Sequence, residues 1–499
     1  MTNHPPARNS THGERGRHAR RLTLANLEEG LRERWLGTRG VVDGEVALGN
    51  VVVDSREVTP GDVFWALPGQ TRDGADFADE AFARGAVAVV TSSDRVTAPG
   101  GRVVVLVDDS LSALWQAARW TRSRFRGLVV AVTGSVGKTT TREMVHHLVG
   151  AKLHGRSSVR NFNNHVGLPL SMLAWDRDDD YAVVELGASA PGEIAKLAEL
   201  CQPHIGVLTR VGDAHLGSFG GRQALARSKA ELLAALADDG LAIINGDDLA
   251  LCRAARRATC KTITFGRAGE CDISASQVCY ENGELSFSVA GQALRAHVWG
   301  RHHLPAALAA VATARAMGVS WAVIRQQLAT FQPVSMRCEM RQLASSTIIN
   351  DAYNASPLAV RAALDLIRDF DTAGRRIVVL GDMVELGDES DSSHWQIGAE
   401  VVTRCGADLL FVCGQHARSI AAGARASGMA DHRIYAYPDI DDVAHDIDQA
   451  LRPGDVVLVK GSRIMRLERV VDQLTRLAAS RPVTLSVDTP AADVTFARH

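Results

Sequence analysis

The chain has 499 residues, 46% of them hydrophobic and 22% charged, with a formal net charge of -2. That length carries two to four globular domains with ample apolar material for their cores, and the near-neutral balance excludes a basic nucleic-acid binder. The 8 cysteines are scattered with no C-x-x-C pair, which argues against a cysteine-rich zinc site and for a reducing, cytoplasmic setting.

Residues 1–21 are polar and basic with no apolar run behind them, so they read as a disordered extension rather than a signal peptide. No later window reaches the length and apolarity of a membrane span. Between 22 and 125, "VVVDSREVTPGDVFWALPG" reads as strand, turn, strand, and "ADEAFARGAVAVVT" as a helix feeding a strand. From 126 to 330, apolar strands alternate with helical stretches, the pattern of an α/β sheet. Within that region "DISASQVCYENGELSFSVAGQALRAHVWG" turns at Glu-Asn-Gly and predicts an inserted antiparallel hairpin. A second alternating series fills 331–480, with strands at "STIIND", "RRIVVLGD", "DLLFVCG", "HRIYAYPD" and "DVVLVKGS", and 481–499 reads as a loose tail.

The chemistry begins at "VAVTGSVGKTTTR", residues 130–142. The general P-loop pattern needs glycine at 132, where Val132 stands, yet the physics favours phosphate. An apolar β-branched run ends in a loop opened by Gly134 and Gly137, and a helix follows whose first-turn N–H groups face an anion. Lys138 adds a mobile positive charge and Thr139 a hydroxyl for magnesium. Polar residues also collect where later strands end: Glu185 after Tyr181–Val184, and His215 after Ile205–Leu208. In an open α/β sheet ligands gather beyond the carboxyl ends of strands, so Lys138, Glu185 and His215 are expected to converge on a magnesium or manganese polyphosphate site.

Nine segments in one order give the chain a family resemblance: "DSREVTPGDVFWALPG" at 54–69, "TGSVGKTTT" at 133–141, "RNFNNHVGLPL" at 160–170, "PGEI" at 191–194, "GDAH" at 212–215, "RSKAELL" at 227–233, "DAYNASP" at 351–357, "LGDMVELG" at 380–387 and "VLVKGSR" at 457–463. In these it resembles the bacterial Mur ligases, with "YNASP" and "LGDMVELG" pointing to the dipeptide-adding branch. The resemblance implies three α/β domains: an N-terminal UDP-substrate domain, a central P-loop ATPase-like domain with an inserted hairpin, and a Rossmann-like C-terminal domain that brings the amine. It implies ATP-driven amide formation through an acyl phosphate, joining D-alanyl-D-alanine to a UDP-N-acetylmuramoyl-tripeptide. A diverged ligase with another acid and amine, and an inactive partner or regulator, are the alternatives. A monomer acting on small-molecule and UDP-linked peptide substrates is expected, with no nucleic acid and no membrane span.

The same resemblance assigns residues. Thr133, Gly134, Ser135, Val136, Gly137, Lys138, Thr139 and Thr140 hold the nucleotide phosphates, with Arg337 beside them, His303 near the base and Asp351 near the ribose. Thr139, Glu185, His215 and Lys229 hold the metal, Lys229 as an anionic carbamate able to ligate where an ammonium would repel. Ser55 and Arg56 meet the uridine diphosphate, and Asn161, Asn163 and Asn164 line the substrate channel. Tyr353 and Asn354 lie in a nucleotide-side loop, where Asn354 equally suits a turn-stabilising role. Lys460, Ser462 and Arg463 meet an anionic end of a substrate or form a solvated loop. The sequence departs from the family pattern at Ala75, at 188–190 (Ala-Ser-Ala), at His303 and Ala306, where asparagines are usual, and at Asn350. An imidazole at 303 offers one donor and one acceptor in a geometry unlike an amide's.

Overall fold

The computed structural model describes residues 22–40, 47–69, 71–159, 162–212, 219, 221–343 and 345–480. The extension expected at 1–21, the tail at 481–499, Asn161 and His215 lie outside the described residues. The chain builds three α/β domains in sequence, each around its own sheet.

The N-terminal sheet has the order β1-β5-β4-β3-β2, with β1 (Trp35–Gly40), β2 (Val51–Val52), β3 (Val63–Trp65), β4 (Ala88–Thr91) and β5 (Val103–Val107). Only β1 runs antiparallel. The stretch read as strand, turn, strand is β2, a 3-10 turn at Ser55–Glu57 capped by the Asp54 carboxylate, and β3, and the two strands pair in parallel. Val63 and Trp65 face the long helix Ser110–Arg124, and Phe64 faces the short helix Ala78–Ala83, so both sheet faces are covered.

In the central sheet the order is β14-β13-β12-β11-β10-β9-β6-β8-β7. Its parallel part comprises β6 (Leu128–Thr133), β7 (Gly155–Ser157), β8 (Tyr181–Leu186), β9 (Ile205–Leu208), β10 (Leu241–Asn245) and β11 (Lys261–Gly266). The near-continuous apolar runs of β6 and β8 reflect burial on both faces. The expected hairpin is present as β12 (Ile273–Glu281) and β13 (Glu284–Val289), but a third antiparallel strand, β14 (Gln292–His297), extends it. Asn282-Gly283 makes the first turn with both φ positive, as a tight two-residue hairpin requires. Ala290-Gly291 makes the second in the same way, and an alanine at φ +48° gave no such signal in the sequence.

The C-terminal sheet, β15-β16-β20-β17-β18-β19, contains every strand expected there: β16 (Ser346–Asp351), β17 (Arg376–Leu380), β18 (Leu409–Cys413), β19 (Ile434–Tyr437) and β20 (Val456–Lys460). It adds an antiparallel edge strand, β15 (Glu339–Leu343). One apolar cluster joins Val130 and Val183 of the central sheet to Val360 and Leu364 of the helix Pro357–Asp369, and the N-terminal core takes in Leu170 and Leu173 of the helix Gly167–Leu173. Each domain therefore packs on the next. Among the described residues no helix is long and apolar enough to cross a membrane.

Candidate active site

The glycine-rich loop leaves β6 and enters the helix Lys138–Gly150, whose N-cap is Gly137 at φ +83°. That left-handed turn suits glycine alone at no steric cost. Gly134, at φ +149°, is constrained by a neighbour: a Cβ there would fall inside the van der Waals radius of the Thr209 hydroxyl. Thr209 in turn donates to the Val136 carbonyl at 2.7 Å, and the Ser135 N–H donates to the Arg210 carbonyl at 2.7 Å. The strand end after β9 thus clamps the loop from below. Gly134→Ala should lower stability by about 1–3 kcal/mol and weaken ATP binding at least about tenfold, with part of the loss recovered in Gly134→Ala/Thr209→Ala. Thermal melts and nucleotide titration check this, and an unchanged Tm would reject the clamp.

Around the loop, a single polar network ties the helix start to two other elements. The Thr139 hydroxyl donates to Glu185 Oε2 at 2.8 Å and accepts from Arg337 Nη2 at 2.8 Å. Asn163 Nδ2 donates to Glu185 Oε1 at 2.8 Å, and Arg142 Nη1 lies 3.8 Å from Glu185 Oε2. Glu185 is 2% exposed. Burial by itself would raise its pKa, but Lys138, Arg142 and Arg337, with the Asn163 hydrogen bond, outweigh it and hold the carboxyl below its ordinary range. Lys138 folds back to donate to the carbonyls of Gly134 and Ser135, and burial lowers its pKa against the opposing pull of Glu185.

Lys229 sits on the helix Arg222–Ala234 and is itself buried, 2% exposed, with its ammonium over the Phe219 ring and 3.4 Å from the Ala188 carbonyl. Desolvation first, and then the charge of Lys138, bring its pKa down to about 7. The Ala-Ser-Ala loop it touches is held by Glu193, whose carboxylate accepts from the N–H groups of Ser189 and Ala190.

On the C-terminal side the Arg337 guanidinium stacks 4.2 Å from the Tyr353 ring. Asp351 is paired with Lys460 at 2.5 Å, and Lys460 also donates to the Asn354 carbonyl. Lys460 and Ser462 are buried, and Ser462 accepts from the Val384 N–H, so both brace the loops at the ends of β16 and β20. Arg463 is exposed and pairs with Glu468. His303 is buried at the start of the helix Leu304–Ala316, and burial drives its pKa well below the ordinary range, leaving a neutral ring. A cavity of about 1270 Å³ opens between the central and C-terminal domains, lined by Asn245, Asp248, His302, Leu304 and ten arginines including Arg210 and Arg361.

The fold therefore gathers Lys138, Thr139, Glu185, Asn163 and Arg337 into one network, with Lys229 near enough to feel Lys138. Other expected residues stay apart. The Ser55 hydroxyl donates to Glu80 and Arg56 pairs with Asp54, both within the N-terminal domain. Asn164 is exposed and accepts from the N–H groups of Val166 and Gly167, fixing the start of a helix. Thr133 donates to the Leu186 carbonyl, and Thr140 is buried beneath the loop. Arg142 and Thr209 were missed by the sequence reading. The only signal for Arg142 is a charge one helical turn after Lys138, and Thr209 carries none, because its role depends on where β9 ends.

The donor set suits a hard divalent cation: the Thr139 hydroxyl and the Glu185 carboxylate offer oxygen, the ligand atom magnesium takes. The buried Oγ of Ser135 and Nε of Arg337 have no hydrogen-bond partner among the described residues, as expected of groups reserved for a ligand.

Three family models match in succession: "Mur ligase family, catalytic domain" over residues 48–118, "Mur ligase middle domain" over 132–314, and "Mur ligase, glutamate ligase domain" over 336–463. The chain is 34% identical over 433 residues to UDP-N-acetylmuramoyl-tripeptide--D-alanyl-D-alanine ligase of Bacillus subtilis, covering 86% of this chain and 94% of that one. To the Escherichia coli protein of the same name it is 32% identical, again over 86% of this chain and 94% of that one. Among solved structures, it superposes on MurF from Acinetobacter baumannii with a TM-score of 0.78 at 27% identity, covering 91% of this chain and 98% of that chain. MurF ligase from Thermotoga maritima in complex with ADP gives 0.73 at 31% identity, covering 87% and 98%. With its three sheets matched in order and its full polar network at the P-loop, the chain belongs to the Mur ligase family.

Proposed function

We propose that the chain is an ATP-dependent ligase that joins D-alanyl-D-alanine to UDP-N-acetylmuramoyl-tripeptide. The observation that carries this is similarity to D-alanyl-D-alanine ligases along 86% of the chain, combined with the intact Lys138, Thr139, Glu185 and Arg337 network. The tripeptide carboxylate attacks the γ-phosphate of ATP, giving an acyl phosphate and ADP. The dipeptide amine then displaces inorganic phosphate and forms the amide. Lys138 and Arg337 place positive charge where the phosphoryl oxygens gain negative charge. Thr139 and Glu185, with Lys229 as a carbamate and His215, would hold magnesium, or manganese in its place, which when bound supplies further charge neutralisation.

Lys229 is suited to carbamate formation. An ordinary lysine is only roughly one part in a few thousand amine at pH 7, whereas at a pKa of about 7 near half is amine. The ammonium first gives up one proton, and the amine then adds carbon dioxide at nitrogen and releases a second, so that a buried cation becomes a buried anion able to ligate the metal.

In this reading residues 22–125 bind the uridine diphosphate end through Ser55 and Arg56, 126–330 bind ATP, and 331–480 bring the amine in a cytoplasmic enzyme. The second cavity, about 530 Å³, is lined by Asp382, Glu385, Asp388 and Asp391, an acidic recess that suits an ammonium. His303 and Asp351 lie on the base and ribose side of the nucleotide, and Asn163 orients Glu185. The test supplies ATP and magnesium with UDP-muramoyl-tripeptide alone, then with D-alanyl-D-alanine, then with D-alanine or other amines. Phosphate release coupled to a product heavier by one dipeptide less water is expected. No product from that pair, with product from another acid and amine, would reject the substrate and turn attention to Ala75 and residues 188–190.

A further inference from the structure

Away from the Thr139 and Glu185 network, three side chains with metal-ligating atoms meet at the junction of the central and C-terminal domains. His302 and His303 end the 3-10 turn Arg301–His303, and Cys338 precedes β15. Their ligand atoms all lie within 4.8 Å of one another, with Cys338 Sγ 3.6 Å from His302 Nε2 and the two imidazole centroids 4.2 Å apart. For tetrahedral zinc, bonds of about 2.0–2.1 Å to nitrogen and about 2.3 Å to sulfur place the two ligand atoms about 3.6 Å from each other.

Three further observations point to a ligand. His303 is 7% exposed, yet its Nε2 has no hydrogen-bond partner among the described residues. The backbone of Trp299 meets its ring on the other side, the arrangement that fixes a ligating tautomer. Gly300, at φ +106°, leaves no room for a Cβ against the His302 ring, so the ring is seated with Nε2 toward the thiol. The segment carrying the thiol is strained: Met336 and Cys338 both occupy left-handed conformations, at φ +58° and +53°. Non-glycine residues hold such conformations where the surrounding structure compels them, often at binding sites. Cys338 is 2% exposed whereas His302 reaches the surface, which provides an entry path.

We propose that His302, His303 and Cys338 form a binding site for one Zn2+ ion, completed by a water molecule and distinct from the Thr139 and Glu185 magnesium ligands, at the edge of the pocket where His303 would meet the base. Binding exchanges the thiol proton for the metal: the S–H bond breaks, a zinc–thiolate bond forms, and the proton leaves to solvent. The ion ties the central domain to the first segment of the C-terminal domain. A thiol donating a hydrogen bond to the imidazole would give the same 3.6 Å separation without any metal, and the experiment separates the two.

The metal-free full-length chain is titrated with Co2+ in excess magnesium, followed by displacement with Zn2+. One equivalent of cobalt should produce a thiolate-to-metal charge-transfer band in the near ultraviolet that zinc abolishes. Cys338→Ser should lose the band and bind Zn2+ at least about a hundredfold more weakly, and His302→Ala should weaken Zn2+ binding at least about tenfold, the loss expected when a ligand is removed. Absence of the band in the wild type, or its persistence in Cys338→Ser, overturns the proposal. If Cys338→Ser does not fold by circular dichroism, the decision rests on His302→Ala, whose exposed side chain makes folding safe: unchanged zinc affinity there overturns the site, and weakened affinity supports it.

Discussion

Lys138→Ala is expected to remain folded and to lose substrate-dependent ADP release by at least about a hundredfold, or roughly 2.7 kcal/mol of transition-state stabilisation. Among the described residues its ammonium bonds to the carbonyls of Gly134 and Ser135 alone, so truncation costs the loop little, while the charge proposed to face the transferred phosphoryl group disappears. Glu185→Gln should show a comparable loss for a different reason. The amide keeps the shape and the hydrogen bond from Thr139 but removes the negative charge that balances Lys138, Arg142 and Arg337. That variant should also be destabilised, because Lys138, Arg142 and Arg337 then lose the buried carboxylate they share, although Arg142 keeps its pair with Glu143. ADP release with and without the tripeptide, alongside thermal melts, measures both effects. Near-wild-type ADP release from either folded variant would remove the residue from the phosphoryl-transfer machinery.

Lys229→Ala is expected to reduce ligation about a hundredfold in saturating magnesium, and the wild type should itself lose activity in buffer stripped of bicarbonate. The lysine is buried with a pKa near 7 and a weak 3.4 Å contact to Ala188. An unmodified cation there, close to Lys138, would oppose metal binding. The sign of the pH dependence follows. The folded pKa lies below the ordinary value of 10.5, so protonation is disfavoured in the native state. From about pH 10.5 down to about 7 the unfolded chain holds a proton that the folded one does not, so this group lowers stability progressively across that window as pH falls. Below about 7 both states are protonated and its contribution is constant. Small carboxylic acids should partly rescue Lys229→Ala by supplying the missing anion. Full activity of that variant without bicarbonate would show the lysine to be a buried helix residue only.

The order of elements was legible because burial writes itself into strands. The apolar runs of β6, β8, β17 and β20 could be read directly, and the Gly-Lys-Thr turn between strand and helix announced a phosphate loop. β15 was not legible, since its Glu-Met-Arg-Gln-Leu sequence belongs to an antiparallel edge strand with one half-solvated side and lacks an apolar run. The third strand of the inserted meander was hidden by an alanine in a left-handed turn.

For the site, the sequence by itself determined which chemical groups are on offer: Lys138 and Thr139 at a strand-to-helix turn, Glu185 near a strand end and Lys229 within a helix were nameable from local pattern and family signatures. Only the tertiary structure decided their partners. Arg337 reaches Thr139 across 198 positions of chain because the C-terminal domain docks against the central one, and Lys460 meets Asp351 across 109 because β16 and β20 are neighbours in the sheet. The juxtaposition of His302, His303 and Cys338 arises in the same way, which is why scattered cysteines with no metal-binding spacing gave no hint of it. Spacing along the chain records helical and strand periodicity, whereas charge neutralisation and metal geometry depend on distances that only strand order and domain packing set.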